Sequence, residues 1–65
     1  MLTPREVQVL QHLSRGLSYA EVGVALGVSL NTVTSHVKNS YRKLDVHTAA
    51  AAVMRAVELQ LLGHA

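Results

Sequence analysis

The chain has 65 residues, a formal charge of only +2 and no cysteine. That length holds one domain with a small core, and the missing thiols exclude disulfides and thiolate-bound metal. No apolar run approaches the roughly 20 residues of a membrane span, and the opening M-L-T-P-R-E does not resemble a secretion signal, so a cytoplasmic protein is the expectation.

Hydrophobic residues make up 49% of the chain, supplied by Leu, Val and Ala rather than aromatics. Stability is expected from packed helices, with help from a second copy of the chain. The charge is distributed unevenly. Arg5 and Arg15 cancel Glu6 and Glu21, and Arg55 cancels Glu58. The excess lies in Ser29 to Leu44, which holds Lys38, Arg42 and Lys43 and no acid, with Asp45 at its far end. A local basic patch of this kind, more than net charge, is the footprint of an acidic partner.

The first predicted helix covers about 4–15. Thr3, Pro4 and Glu6 supply an N-cap hydroxyl, a proline at the first helical position and the returning carboxylate of a capping box. Leu2 is placed to staple against Val7, and Val7, Leu10, Leu13 and Leu17 form an apolar stripe closed by Gly16. A second box, Ser18 with Glu21, opens a helix over about 19–26, whose apolar face is Val22, Ala25 and Leu26. Gly27 ends it, Val28 drops inward and Ser29 caps the next helix. Two helices on so short a turn cross steeply, which is helix-turn-helix geometry.

The third helix, about 30–44, resolves into faces at ~100° per residue. Val33, Val37, Ser40 and Leu44 point inward. Asn31, Thr34, Ser35, Lys38 and Arg42 lie opposite, and Thr32, His36, Asn39 and Lys43 form a flank. The outward side is small and polar near its start and basic toward its end, a shape that permits close approach to a major groove. A merely solvated face is the plainer reading of three cations; the tight preceding turn and the absence of acid argue against it.

After Asp45, Val46 and His47, Thr48 caps a last helix over about 49–62, ended by Gly63. Ala52, Val53, Ala56 and either Leu59 or Gln60 form one stripe toward the core. Ala50, Met54, Val57 and Leu61 recur at spacings of 4, 3 and 4 on another. A helix apolar on both sides of so small a domain is expected to meet a partner there, and a second copy is the expected one.

These residues, taken together, carry a resemblance. The motifs are L-T-x-R-E at 2–6, V-L at 9–10, G-L-S-x-x-E-V at 16–22, L-G-V-S at 26–29, T-V-x-x-H-V-x-N at 32–39, K-L-x-V at 43–46 and A-V-x-x-A at 52–56. In this order and without gaps, the chain resembles the DNA-binding domain of the LuxR/FixJ/NarL family of bacterial transcriptional regulators. The resemblance implies an all-α domain of four helices, with the helix-turn-helix in helices two and three and a homodimer through helix four. It implies that Thr34, Ser35 and Lys38 face base edges, and that Ser18, Tyr19, Asn31 and Thr32 meet phosphates. Lys38 is expected to donate to guanine O6 or N7, while Arg42 and Lys43 are expected to anchor the backbone. Further implied partners are an upstream receiver or ligand-sensing domain and RNA polymerase; free-standing members also exist.

The chain departs from the family at several places. Ala49 stands where arginine is common and Ala51 where glutamate is common, so a capping box on helix four is absent. Ser40 replaces an apolar residue, Asp45 stands where glycine or asparagine is common, and Thr34 is often longer or charged.

Other chemistry has little to stand on. His12, His36, His47 and His64 fall on separate elements with no i, i+4 pair, so no metal site and no cofactor are expected. No phosphate-binding glycine loop exists, two tyrosines make no stacking platform, and nothing supports a nucleophile, so no enzyme is expected. Two functions remain: a sequence-specific duplex-DNA binder, and a helical protein-interaction module acting through its last helix.

Overall fold

A computed structural model describes residues 1–59, which form α1 (Pro4–Ser14), α2 (Tyr19–Leu26), α3 (Leu30–Leu44) and α4 (Ala49–Glu58). Gln60, Leu61, Gly63 and His64, with the predicted end of the last helix, lie outside the described residues. The fold is all-α, with no strand among the described residues.

Each helix starts where a side-chain oxygen takes up a free backbone N–H. The Thr3 hydroxyl accepts from Glu6 N–H at 3.1 Å while the Glu6 carboxylate accepts from Thr3 N–H at 2.8 Å. Ser18 and Glu21 repeat this exchange at 3.1 and 2.8 Å. Thr48 accepts from Ala51 N–H, but an alanine has nothing to return. Three helix ends also share one device. Gly16, Gly27 and Asp45 adopt φ of 90°, 69° and 57°, and the N–H of the next residue reaches back to His12, Gly23 and Tyr41 carbonyls at 3.3, 2.9 and 3.0 Å. This is the Schellman arrangement, and its trailing apolar residue tucks under the helix it closes. Here Leu17, Val28 and Val46 are those residues, all half-buried against the core.

Two apolar clusters follow from this. Val9, Val22, Val33 and Val37 join α1, α2 and α3, while Leu2, Leu10, Leu44, Ala52 and Ala56 join α1, α3 and α4. Leu13 and Tyr41 touch both. Helices α2 and α4 do not pack on each other, so α1 and α3 carry the domain between them.

Three expectations about burial are corrected. On α1 the buried stripe is Glu6, Val9 and Leu10 with Leu13 half-buried, rotated from the expected one so that Val9 is fully buried and Val7 lies at its edge. On α2, Ala25 is exposed and Gly23 is buried in its stead. A Cβ added to Gly23 would stand 2.9 Å from the Val28 carbonyl oxygen, so the turn into α3 closes directly over that glycine. On α4, Leu59 sits at the helix end, half exposed, while Ala52 and Ala56 face inward.

Candidate nucleic-acid interface

Helix α3 is seated by its inward residues. Val33, Val37, Ser40 and Leu44 are all buried. Ser40, a hydroxyl among apolar groups, donates to the His36 carbonyl at 2.7 Å, which removes the penalty of an unpaired buried polar group. On the outward side Asn31, Ser35, Lys38 and Arg42 are exposed and Thr34 is half-buried. Thr34 donates its hydroxyl hydrogen to the Leu30 carbonyl one turn earlier, at 3.0 Å. Leu30 itself is 53% exposed. The sequence reading assigned it no role, although an apolar residue just after the cap, on a helix whose inward positions were already filled, was a usable signal.

Thr32, His36 and Asn39 are half-buried on the flank. Thr32 shares a 2.9 Å hydrogen bond with the hydroxyl of the cap residue Ser29, so the start of α3 is ordered by side chains as well as backbone. Lys43 differs from the other cations. Its Nζ lies 2.8 Å from Oε1 of Glu6, in a pair whose lysine side chain is 37% exposed and whose carboxylate is almost fully buried. The same oxygen accepts the capping N–H of Thr3. Burial acts to raise the Glu6 pKa, yet the bonds from Lys43 and Thr3 outweigh it and hold the carboxyl below 4.5. Nothing in a local pattern connects residues so far apart along the chain.

At the start of α2, Ser18 is engaged in its capping box and Tyr19 is half-buried, packed against the three-helix cluster. Burial, with Tyr19 as a neighbour, pushes the Tyr41 phenol up to about 12. Tyr19 and Tyr41 both pack against the Val9, Val22, Val33 and Val37 cluster, where the start of α2 meets the C-terminal half of α3. Past Tyr41 a shallow cleft of about 390 Å³ is lined by Lys38, Tyr41, Arg42, Asp45, Val46 and His47. Asp45 forms no ion pair with either cation there.

On α4, Ala50 and Met54 are exposed and Val57 is half-buried, on the side opposite the buried Ala52 and Ala56. Leu61, the fourth residue of that stripe, lies outside the described residues. Among the described residues no three His, Asp or Glu side chains converge on a metal position. None of the described helices is long and apolar enough to cross a membrane.

Residues 1–56 match the model of the bacterial regulatory proteins of the luxR family. The chain belongs to that family. It is 48% identical over 61 residues to the transcriptional activator protein CarR of Pectobacterium carotovorum subsp. carotovorum, covering 94% of this chain and 25% of that one. It is 41% identical over 54 residues to the nitrate/nitrite response regulator protein NarP of Escherichia coli (strain K12), covering 83% of this chain and 25% of NarP. The crystal structure of response regulator ChrA, from a heme-sensing two-component system, superimposes with a TM-score of 0.90 at 36% identity, covering 94% of this chain and 30% of that one. The chain thus spans about a quarter of the length of these relatives. These relatives are a transcriptional activator and response regulators.

Proposed function

We propose that the domain inserts α3 into the major groove of duplex DNA and acts as a homodimer joined through α4. The observation that carries the reading is the exposed, acid-free outer face of α3, small at its start and cationic at Lys38 and Arg42. Lys38 donates to guanine O6 or N7, and Thr34 and Ser35 lie against neighbouring base edges. Arg42, with the groups around the starts of α2 and α3 (Ser18, Tyr19, Asn31 and Thr32), holds phosphates and fixes register. Lys43 keeps two ammonium hydrogens beyond the one given to Glu6, and meets a phosphate with those. Ala50, Met54, Val57 and Leu61 join two copies, so that two half-sites are read together. Where a receiver or ligand-sensing domain precedes it, that domain and RNA polymerase are further partners, and the setting is the cytoplasm. The domain does no catalysis.

Lys38→Ala tests the reading. It should weaken the selected duplex by ~1–3 kcal/mol and relax preference at one base pair, leaving the affinity for random duplex nearly unchanged. Equal binding of both duplexes by wild type and variant would defeat it. One observation favours a second reading, a protein-interaction module: Met54 is 68% exposed on an apolar stripe. Duplex affinity that falls steeply with salt supports the first reading; no duplex binding at low salt leaves the second.

A further inference from the structure

The N-terminal half of α3 carries two features that polar readout does not use. The first is Thr34, whose only hydroxyl hydrogen is given to the Leu30 carbonyl at 3.0 Å. A hydroxyl so engaged cannot donate to guanine or adenine acceptors without breaking that bond, and what the side chain has left to offer a base is its methyl group and oxygen lone pairs. The second is Leu30, one turn earlier, with 53% of its surface exposed. It joins neither apolar cluster, and residues four apart on a helix are surface neighbours. An aliphatic side chain and a methyl therefore sit side by side at the groove-entering end of the helix. The major groove displays one apolar group, the C5-methyl of thymine.

We propose that Leu30 and Thr34 together read the methyl group of one thymine in each half-site. The proposal rests on the major-groove reading above and adds the base class that the start of α3 selects. Lys38, two turns further along, asks for guanine by donating a hydrogen bond. Leu30 and Thr34 ask for thymine by excluding water from its methyl, so the half-site pairs one polar requirement with one apolar requirement.

The test begins with duplexes selected by the wild-type chain from a random pool. Each thymine is then replaced singly by deoxyuridine, which deletes the methyl and leaves every hydrogen-bonding group in place. One thymine per half-site should become roughly fourfold weaker on losing its methyl, the factor expected for burying a single such group. Thr34→Val keeps the methyl and removes the oxygen, and should retain the deoxyuridine effect whatever it does to overall affinity. The double variant Leu30→Ala/Thr34→Ser should lose the deoxyuridine effect while still preferring guanine opposite Lys38. The proposal is overturned if no thymine is methyl-sensitive, if the double variant keeps that sensitivity, or if Thr34→Val alone abolishes it, since the oxygen would then be the reader. A wild type that binds selected and scrambled duplexes equally overturns groove reading itself and the methyl reader with it.

Discussion

Helices α3 and α4 pack on the same core yet are held differently and turn opposite chemistry outward. The inward face of α3 is Val33, Val37 and Leu44, and its last turn is tied to α1 by the 2.8 Å Lys43–Glu6 pair. Helix α4 lies inward on Ala52 and Ala56, and its one described ion pair, Arg55 with Glu58 at 3.8 Å, stays exposed within the helix. Such a pair contributes little. Outward, α3 offers Asn31, Ser35, Lys38 and Arg42, and α4 offers Ala50 and Met54. A helix that must present donors to bases at fixed positions needs its angle locked. A helix that meets a second copy through an apolar stripe can be held by small residues and gain the rest of its burial on association.

If that contrast is right, a charge placed on the outer side of α4 damages pairing and spares the fold. Val57→Asp puts a carboxylate in the proposed interface, and Met54→Lys does the same with opposite sign nearer its middle. Each should weaken the dimer by ~2–4 kcal/mol, the range for disrupting a central interface residue, while the thermal midpoint of the dilute monomer moves by no more than a few degrees. Sedimentation across a concentration series reads the first, and thermal melts at low concentration read the second. Variants that sediment as wild type does at every concentration would break the comparison, because α4 would then have no partner on that side.

A smaller effect is expected from the lock on α3. Glu6→Gln leaves an oxygen to accept the Thr3 N–H but removes the charge that holds Lys43. At pH 7 the loss should be ~1–2 kcal/mol, below the figure for a fully buried pair because the lysine is partly solvated. The sign with pH follows from the direction of the Glu6 shift. The folded chain holds this carboxyl below 4.5, so the unfolded chain binds the proton first as pH drops. The stabilisation is therefore complete above that value and lost as pH falls below it. Denaturation curves of wild type and Glu6→Gln should converge in acid. A constant gap from pH 7 down to 3 would mean that the pair does not hold α3 electrostatically.

Most of this architecture is legible along the sequence because its signals are local. Thr3 with Glu6, and Ser18 with Glu21, are read three residues apart and form as read. The inward set of α3 follows from one period, because that helix meets its neighbours along a single side. Helix α1 follows one stripe as well, Glu6, Val9 and Leu10 with Leu13 half-buried, but the expected stripe starts from Val7 and passes over Val9. Ala25 misled for another reason, since a methyl is too small to reveal which way it faces. The Lys43–Glu6 bond joins residues 37 apart, and no helical period reports on that. On the outward face, spacing identified which residues are presented, whereas the commitment of the Thr34 hydroxyl depends on a rotamer that only coordinates give.

The smallest expected effect lies where the locked helix gives way to the packed one. Asp45 closes α3 at φ 57° and ψ 51°, a left-handed conformation that Asn and Asp tolerate better than most residues. Its carboxylate also sits at the negative end of the α3 dipole, where a cation would be favoured. Asp45→Asn keeps the conformation and removes the charge, so it should stabilise the chain by ~0.3–1 kcal/mol at low ionic strength. That gain should shrink as salt is added, since the term is a screened surface interaction. Asp45→Gly is less informative, because relief of the left-handed residue is offset by the greater freedom of glycine in the unfolded chain. Thermal melts of wild type and Asp45→Asn at low and high salt measure the effect. A gain that ignores salt would place its origin in backbone conformation instead, and would make the end of α3 a conformational stop with no electrostatic component.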